Sequence, residues 1–111
     1  MDGTAYEQRL RAELAALVAA SEQGKEDRGP VTLDQQSVGR LSRMDAMQIQ
    51  AMAVATEDRR QARIRALRAA LARLAAGEFG YCLSCGGAIP AKRLDLDPAL
   101  ATCVACARGR R

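Results

Sequence analysis

The stretch Cys82–Cys106, "CLSCGGAIPAKRLDLDPALATCVAC", holds all four cysteines of the 111-residue chain. They form two Cys-x-x-Cys pairs, Cys82/Cys85 and Cys103/Cys106, with seventeen residues between the pairs. Such a turn brings two sulfurs to one ion, and zinc takes four tetrahedral thiolate or imidazole ligands. The chain has no histidine, so a mixed ligand set is not available. The interval lies in the zinc-ribbon window, and Gly86 and Gly87 supply small residues where the backbone must curl around sulfur. The spacing predicts one structural zinc on Cys82, Cys85, Cys103 and Cys106. A thioredoxin-like redox pair needs a single Cys-x-x-Cys opening a helix after a strand. A catalytic zinc keeps one coordination position open, and four cysteines close it. An iron–sulfur cluster also takes four cysteines and stays open as an alternative; the spacing favours zinc.

Upstream of the cysteines, no Gly or Pro interrupts the run from about Arg43 to Ala76, and Gly77 follows it. This predicts a long helix, with Ser42 and Asp45 in a capping-box pattern at its start and Gly77 as its stop. Its apolar positions come in two groups: Met44, Met47, Ala51, Val54, then Ile64, Leu67, Leu71, Leu74. Each has three-four-three spacing, but the two phases differ by one residue. The polar stretch "TEDRRQAR", 56–63, separates them. A shorter helix is predicted over Ala5–Gln23, with Thr4 and Glu7 as its capping box and Leu10, Leu14, Leu17 and Ser21 on one stripe. Gly24 is its expected stop, and "KEDRGPVTLDQQSVGR", 25–40, reads as a connector.

A helix with a broken stripe does not stand alone in water, so the first helix is expected to pack its leucines on the second. The fold class is mainly α: an antiparallel helical hairpin (coiled coil) with a C-terminal four-cysteine zinc finger. The hairpin is expected over 1–77 with its tip near 25–45, and the finger over 78–111 with a short C-terminal helix or tail. Met44 and Met47 read as packing residues. Phe79 and Tyr81 read as finger core. Arg59, Arg60, Arg63, Arg65 and Arg68 read as a solvated helix face.

Composition agrees. One Phe, two Tyr and no Trp leave little aromatic mass, and a core this small needs a staple such as a metal. Net charge is +4, too thinly spread to argue by itself for a phosphate-gripping surface. No apolar run is long enough to cross a bilayer, and "MDGTAYEQRL" lacks the basic-then-apolar order of a secretory signal. A cytoplasmic protein is expected, where paired cysteines hold metal more often than disulfides. Without histidine, no nucleophile–base pair assembles, so no enzyme is expected.

Taken together, "GEFGYCLSCGGAIPAKRLDLDPALATCVAC" after a long helix resembles the DksA/TraR family of zinc-finger transcription factors. The likeness rests on the G-x-F-G-Y-C lead-in, the following SCG, the "KRL" step, the Pro before the second pair and the seventeen-residue interval. It covers about residues 44–106. The resemblance implies a monomer that binds RNA polymerase, inserts its coiled coil through the secondary channel and remodels promoter open complexes. It also implies an acidic tip. In "LSRMDAMQ", Asp45 stands for the second acid of the family pattern, Met47 for its Ala, and Ser42 where the first acid would be. The expected tip contacts are Asp45, Ala46 and, from the connector, Asp34. Guanosine tetraphosphate is the implied small-molecule partner. Arg59 falls on a family basic position, and Arg65 and Arg93 lie near others, whereas Ala66, Asp97 and Ala107 lack the basic group. The competing reading is a nucleic-acid-binding zinc ribbon using Lys92, Arg93, Arg108, Arg110 and Arg111.

Overall fold

The computed structural model describes residues 3–29 and 40–109. Helix α1 spans Gly3–Gln23, α2 spans Lys25–Arg28, and α3 runs over Arg40–Ala75. Two short helices follow, α4 at Ala91–Leu96 and α5 at Val104–Ala107. At about 1.5 Å per residue, α3 is about 54 Å long. The radius of gyration is 19.4 Å, against about 13 Å for a compact domain of this length. The molecule is a rod.

α1 and α3 are antiparallel, because contacts that move forward along α1 move backward along α3. Glu13 meets Arg63, Ser21 meets Glu57, and the Gly29 carbonyl meets Gln50. The seam at the base is apolar: Leu10, Leu67 and Ala70 are buried together with Ala99, flanked by Leu14, Leu17, Leu71 and Leu74. The predicted stripes of α1 and of the C-terminal half of α3 therefore form this core.

α3 stops where the sequence predicts. Gly77 has φ +74, and the Gly77 and Glu78 amides donate to the Leu74 and Arg73 carbonyls. That pairing closes the helix with a left-handed residue best filled by glycine. The two starts differ from expectation. α1 begins at Gly3 and α3 at Arg40, so Thr4 and Ser42 lie inside helices rather than ahead of them, and neither is an N-cap.

The outer half of α3 also differs. Met44, Met47 and Val54 are 51%, 56% and 41% exposed, and Ala51 is exposed as well. The one-residue phase shift explains this. Continued outward from Ile64, the packed face of α3 runs through Gln61, Glu57, Ala53, Gln50 and Ala46, all half-buried. A shift of one residue turns a stripe about 100° around the helix, so the Met44–Val54 set faces away from α1.

The outer seam is polar. Ser21 Oγ and Gln61 Nε2 each donate to Glu57 Oε2 at 2.6 Å. Arg60 and Arg28 pair with Glu57 Oε1, and the Glu57 side chain is only 12% exposed. The Ser21 and Gln61 hydrogen bonds, then those of Arg60 and the charge of Arg28, hold its carboxyl at about 2, down from 4.5. A carboxylate depressed in the fold adds stability fully above its unfolded pKa and loses it as pH falls through the folded one. Wild type should therefore exceed Glu57→Gln in thermal midpoint at neutral pH. The gap should shrink between about pH 4.5 and 2. Midpoints for both proteins across that range check this; a gap independent of pH would refute it.

Candidate metal centre

The chain leaves α3 through Gly77 and enters a compact knot. Tyr81 and Ala88 form an antiparallel bridge, and the Ile89 amide donates to the Gly80 carbonyl at 2.7 Å. Within this loop the Cys82 amide donates to Gly87 O and the Gly86 amide to Cys82 O, both at 2.8 Å. Gly86, at φ +76, makes the reversal that points the Cys82 and Cys85 sulfurs the same way. The second pair sits at a helix start: Cys103 precedes α5, and the Ala107 amide donates to its carbonyl. A bond from the Leu83 amide to Ala101 O, 2.8 Å, ties the first turn to the second.

The four Sγ atoms all lie within 4.8 Å of one another, and Cys85 and Cys103 are 3.8 Å apart. A tetrahedron with zinc–sulfur bonds of about 2.3 Å requires sulfurs about 3.8 Å apart, so the donor set fits zinc. No cysteine is in a disulfide. The protonation balance agrees. The Cys103 and then the Cys85 and Ser84 amides bring the Cys82 thiol down to about 6. Cys106 is pushed up to about 12, first by Cys103 and then by Cys82. Four sulfurs this close cannot all be thiolates without a cation, and a dication removes the conflict. The fourfold thiolate shell leaves no position for substrate, so the site is structural.

Cys82 is 3% exposed and packs with Tyr6, Ile89 and Leu94, against Phe79, Cys103 and Cys106. Phe79 is thus the finger core residue expected. Tyr81 is not: it is 54% exposed, because it is the neighbours Gly80 and Cys82 that turn inward on the bridge.

Three polar struts join this knot to the hairpin. The Tyr6 hydroxyl donates to Asp95 at 2.5 Å, which raises the Tyr6 pKa. Arg63 donates two bonds to Glu13, at 2.6 and 2.9 Å, and two to Asp97, at 3.2 and 2.9 Å. Bidentate pairing of this kind fixes orientation as well as distance. It lowers the Glu13 carboxyl and, against partial burial, that of Asp97. Arg73, buried at the end of α3, donates to the Leu100 carbonyl at 3.4 Å.

Arg60 and Arg63 are therefore not part of a solvated face. Both are half-buried in ion pairs, while Arg59, Arg65 and Arg68 are exposed. The sequence signal for Arg63 was weak, since its partners Glu13 and Asp97 lie 50 and 34 residues away.

The remaining expected residues are dispersed. Asp45 is exposed and Ala46 half-buried near the start of α3. Asp34, Arg110 and Arg111 lie outside the described residues. Arg59 and Arg65 are six residues apart on α3, which places them about 120° apart around the helix. Arg93 is half-buried on α4, and its Nε is buried without a partner among the described residues.

Residues 77–111 match the family model of the prokaryotic dksA/traR C4-type zinc finger. No curated protein matches the sequence. Among solved structures, transcription factor DksA2 from Pseudomonas aeruginosa superposes with a TM-score of 0.72 at 19% identity, covering 94% of this chain and 78% of that one. The DnaK suppressor protein from Agrobacterium tumefaciens C58 superposes with a TM-score of 0.59 at 27% identity, over 98% and 94% of the two chains. With four converging cysteines at the base of a helical rod, the chain is DksA-like and carries a dksA/traR C4-type zinc finger.

Proposed function

We propose that this protein regulates transcription by binding RNA polymerase, with the hairpin entering the secondary channel and altering promoter open complexes. The observation that carries the reading is the shape: a zinc knot holds one end of a rod whose long helix continues well past the knot. Asp45 lies thirty residues before the end of α3, about 45 Å from it. The likeness in fold to transcription factor DksA2 from Pseudomonas aeruginosa supports the same reading.

In this reading Asp45 and Ala46 contact polymerase near its catalytic centre, and Asp34 is the further acid expected to take part in the contact. The finger stays outside as a handle set by Arg63. Guanosine tetraphosphate is the small-molecule partner to test, with Arg59, Arg65 and Arg93 as the cations available to it. Their separation on α3 argues against a shared phosphate cradle built from Arg59 and Arg65 alone.

The test is a pull-down with purified RNA polymerase, with and without guanosine tetraphosphate, followed by transcription from a ribosomal promoter. Asp45→Asn is expected to weaken the transcriptional effect at least about tenfold, equivalent to about 1.4 kcal/mol, with zinc content and helicity unchanged. No association under either condition would sink the reading. Binding to nucleic acid alone, falling steeply with salt, would establish instead a ribbon that grips phosphates through Lys92 and Arg108.

A further inference from the structure

We propose that Arg73 is the countercharge of the zinc centre, a guanidinium buried at the end of α3 that offsets the negative charge of the thiolate shell and strengthens its hold on zinc. Four thiolates around one dication carry two negative charges in excess. That excess sits in a knot where Cys82 is 3% exposed. A charge taken out of water needs a partner of the opposite sign.

Arg73 has the complementary deficit. Among the described residues it is the only buried charged side chain, 9% exposed. The half-buried Arg28, Arg60 and Arg63 all reach carboxylates. Arg73 reaches none among the described residues, and burial lowers its pKa with no acid to offset it. Arg93 also lacks a carboxylate there but is only half-buried. The bond Arg73 makes to the Leu100 carbonyl is long, at 3.4 Å. Its place in the last turn of α3 adds the equivalent of about half a negative charge from the helix dipole, less than a full cation requires.

The chain path brings the two deficits together. Leu100 lies three residues before Cys103, a span of at most about 10 Å even when fully extended. The next residue, Ala101, accepts from the Leu83 amide at 2.8 Å, and Leu83 adjoins Cys82. The guanidinium therefore stands against the stretch of chain that links the two Cys-x-x-Cys turns. Water and salt screen buried charges weakly, so opposite charges at this range attract across the interior. Acting from outside the ligand shell, Arg73 tunes the metal without ligating it. The inference rests on the zinc centre alone and is independent of any contact with polymerase.

The experiment measures the zinc affinity of the full-length chain by competition with a chromophoric chelator. Wild type is compared with Arg73→Met, Arg73→Gln and Arg73→Lys. Met fills the space without charge, and Gln keeps a donor for the Leu100 carbonyl without charge. Both should raise the zinc dissociation constant at least about tenfold, the lower end for substitutions outside a ligand shell. Lys keeps the charge and should fall nearer to wild type than Gln does. Ellipticity at saturating zinc, expected to match across the set, separates lost affinity from lost fold. Wild-type affinity in both Met and Gln overturns the proposal. So does a loss in Met that Gln restores, because the hydrogen bond would then suffice. A loss in Lys as large as in Gln overturns it too, because shape rather than charge would then govern.

Discussion

Stripping the zinc is expected to unfold residues 78–109 while leaving α1 and α3 largely helical. The segment has little else to hold it. Its core is Cys82, Ile89 and Leu94, completed by Tyr6 and Phe79 and, on the metal side, by Cys103 and Cys106. Three of those residues are zinc ligands, and its helices are six and four residues long, too short to persist alone. Structural zinc in small fingers supplies on the order of 10–16 kcal/mol of apparent binding energy, as much as the whole net stability of a typical domain, about 5–15 kcal/mol. Cys103→Ser should give the same result, because three thiolates leave the shell open and the Leu83–Ala101 link unsupported. The hairpin has its own apolar seam through Leu10, Leu14, Leu67 and Leu71, so most far-ultraviolet ellipticity should survive. Chelation followed by amide exchange checks both halves: protection should vanish in 78–109 and persist around Ile64–Leu71. A finger that keeps its protection without metal would mean the apolar core alone folds it.

The features legible in the sequence are those encoded by short spacings. Cys82 and Cys85, like Cys103 and Cys106, declare themselves by a turn three residues long, and the interval between pairs names the kind of site. Gly77 declares the end of α3 in the same way, since one left-handed residue suffices. The leucine stripe of α1 and the Ile64–Leu74 stripe of α3 are periodic over two turns or more, and they do meet. What sequence obscured depends on what lies opposite. Met44, Met47, Ala51 and Val54 have the period of a packed face, but the one-residue phase difference between the stripes, about 100° around the helix, means that only one can face α1. Arg63 looked like its exposed neighbours because Glu13 and Asp97 are distant in sequence and come together only once the finger docks. Tyr81 was assigned to the core on aromatic character, while the bridge to Ala88 sets its parity outward. Capping patterns misled at Thr4 and Ser42 because both helices extend past them, to Gly3 and Arg40.

Leu67→Ala is expected to destabilise the zinc-loaded protein by about 4 kcal/mol, toward the upper end of large-to-small core changes. The side chain is wholly buried and sits where three parts of the molecule meet: Leu10 from α1, Ala70 from α3, and Ala99 from the segment leading to Cys103. Lost transfer energy accounts for about 2 kcal/mol of the cost. The rest depends on how far the surroundings can collapse into the space. On the side of Ala66, Ala70 and Ala99 they can do little, because alanine has no rotamers with which to reach inward, and any closure must come from Leu10 and the flanking leucines. The bridge from Arg63 to Glu13 and Asp97 also braces the helix and the segment apart. Much of the cavity cost should therefore remain. Urea unfolding of the holoprotein should show a lower midpoint with an unchanged slope, the mark of lost stability without a change in exposed surface. Leu96→Ala, at a position 84% exposed, is the matched control and should shift stability by less than about 0.5 kcal/mol. A loss below about 1.5 kcal/mol at Leu67 would mean that the junction closes around the gap. The finger and hairpin would then be held mainly by the Tyr6–Asp95 and Arg63 struts rather than by this apolar contact.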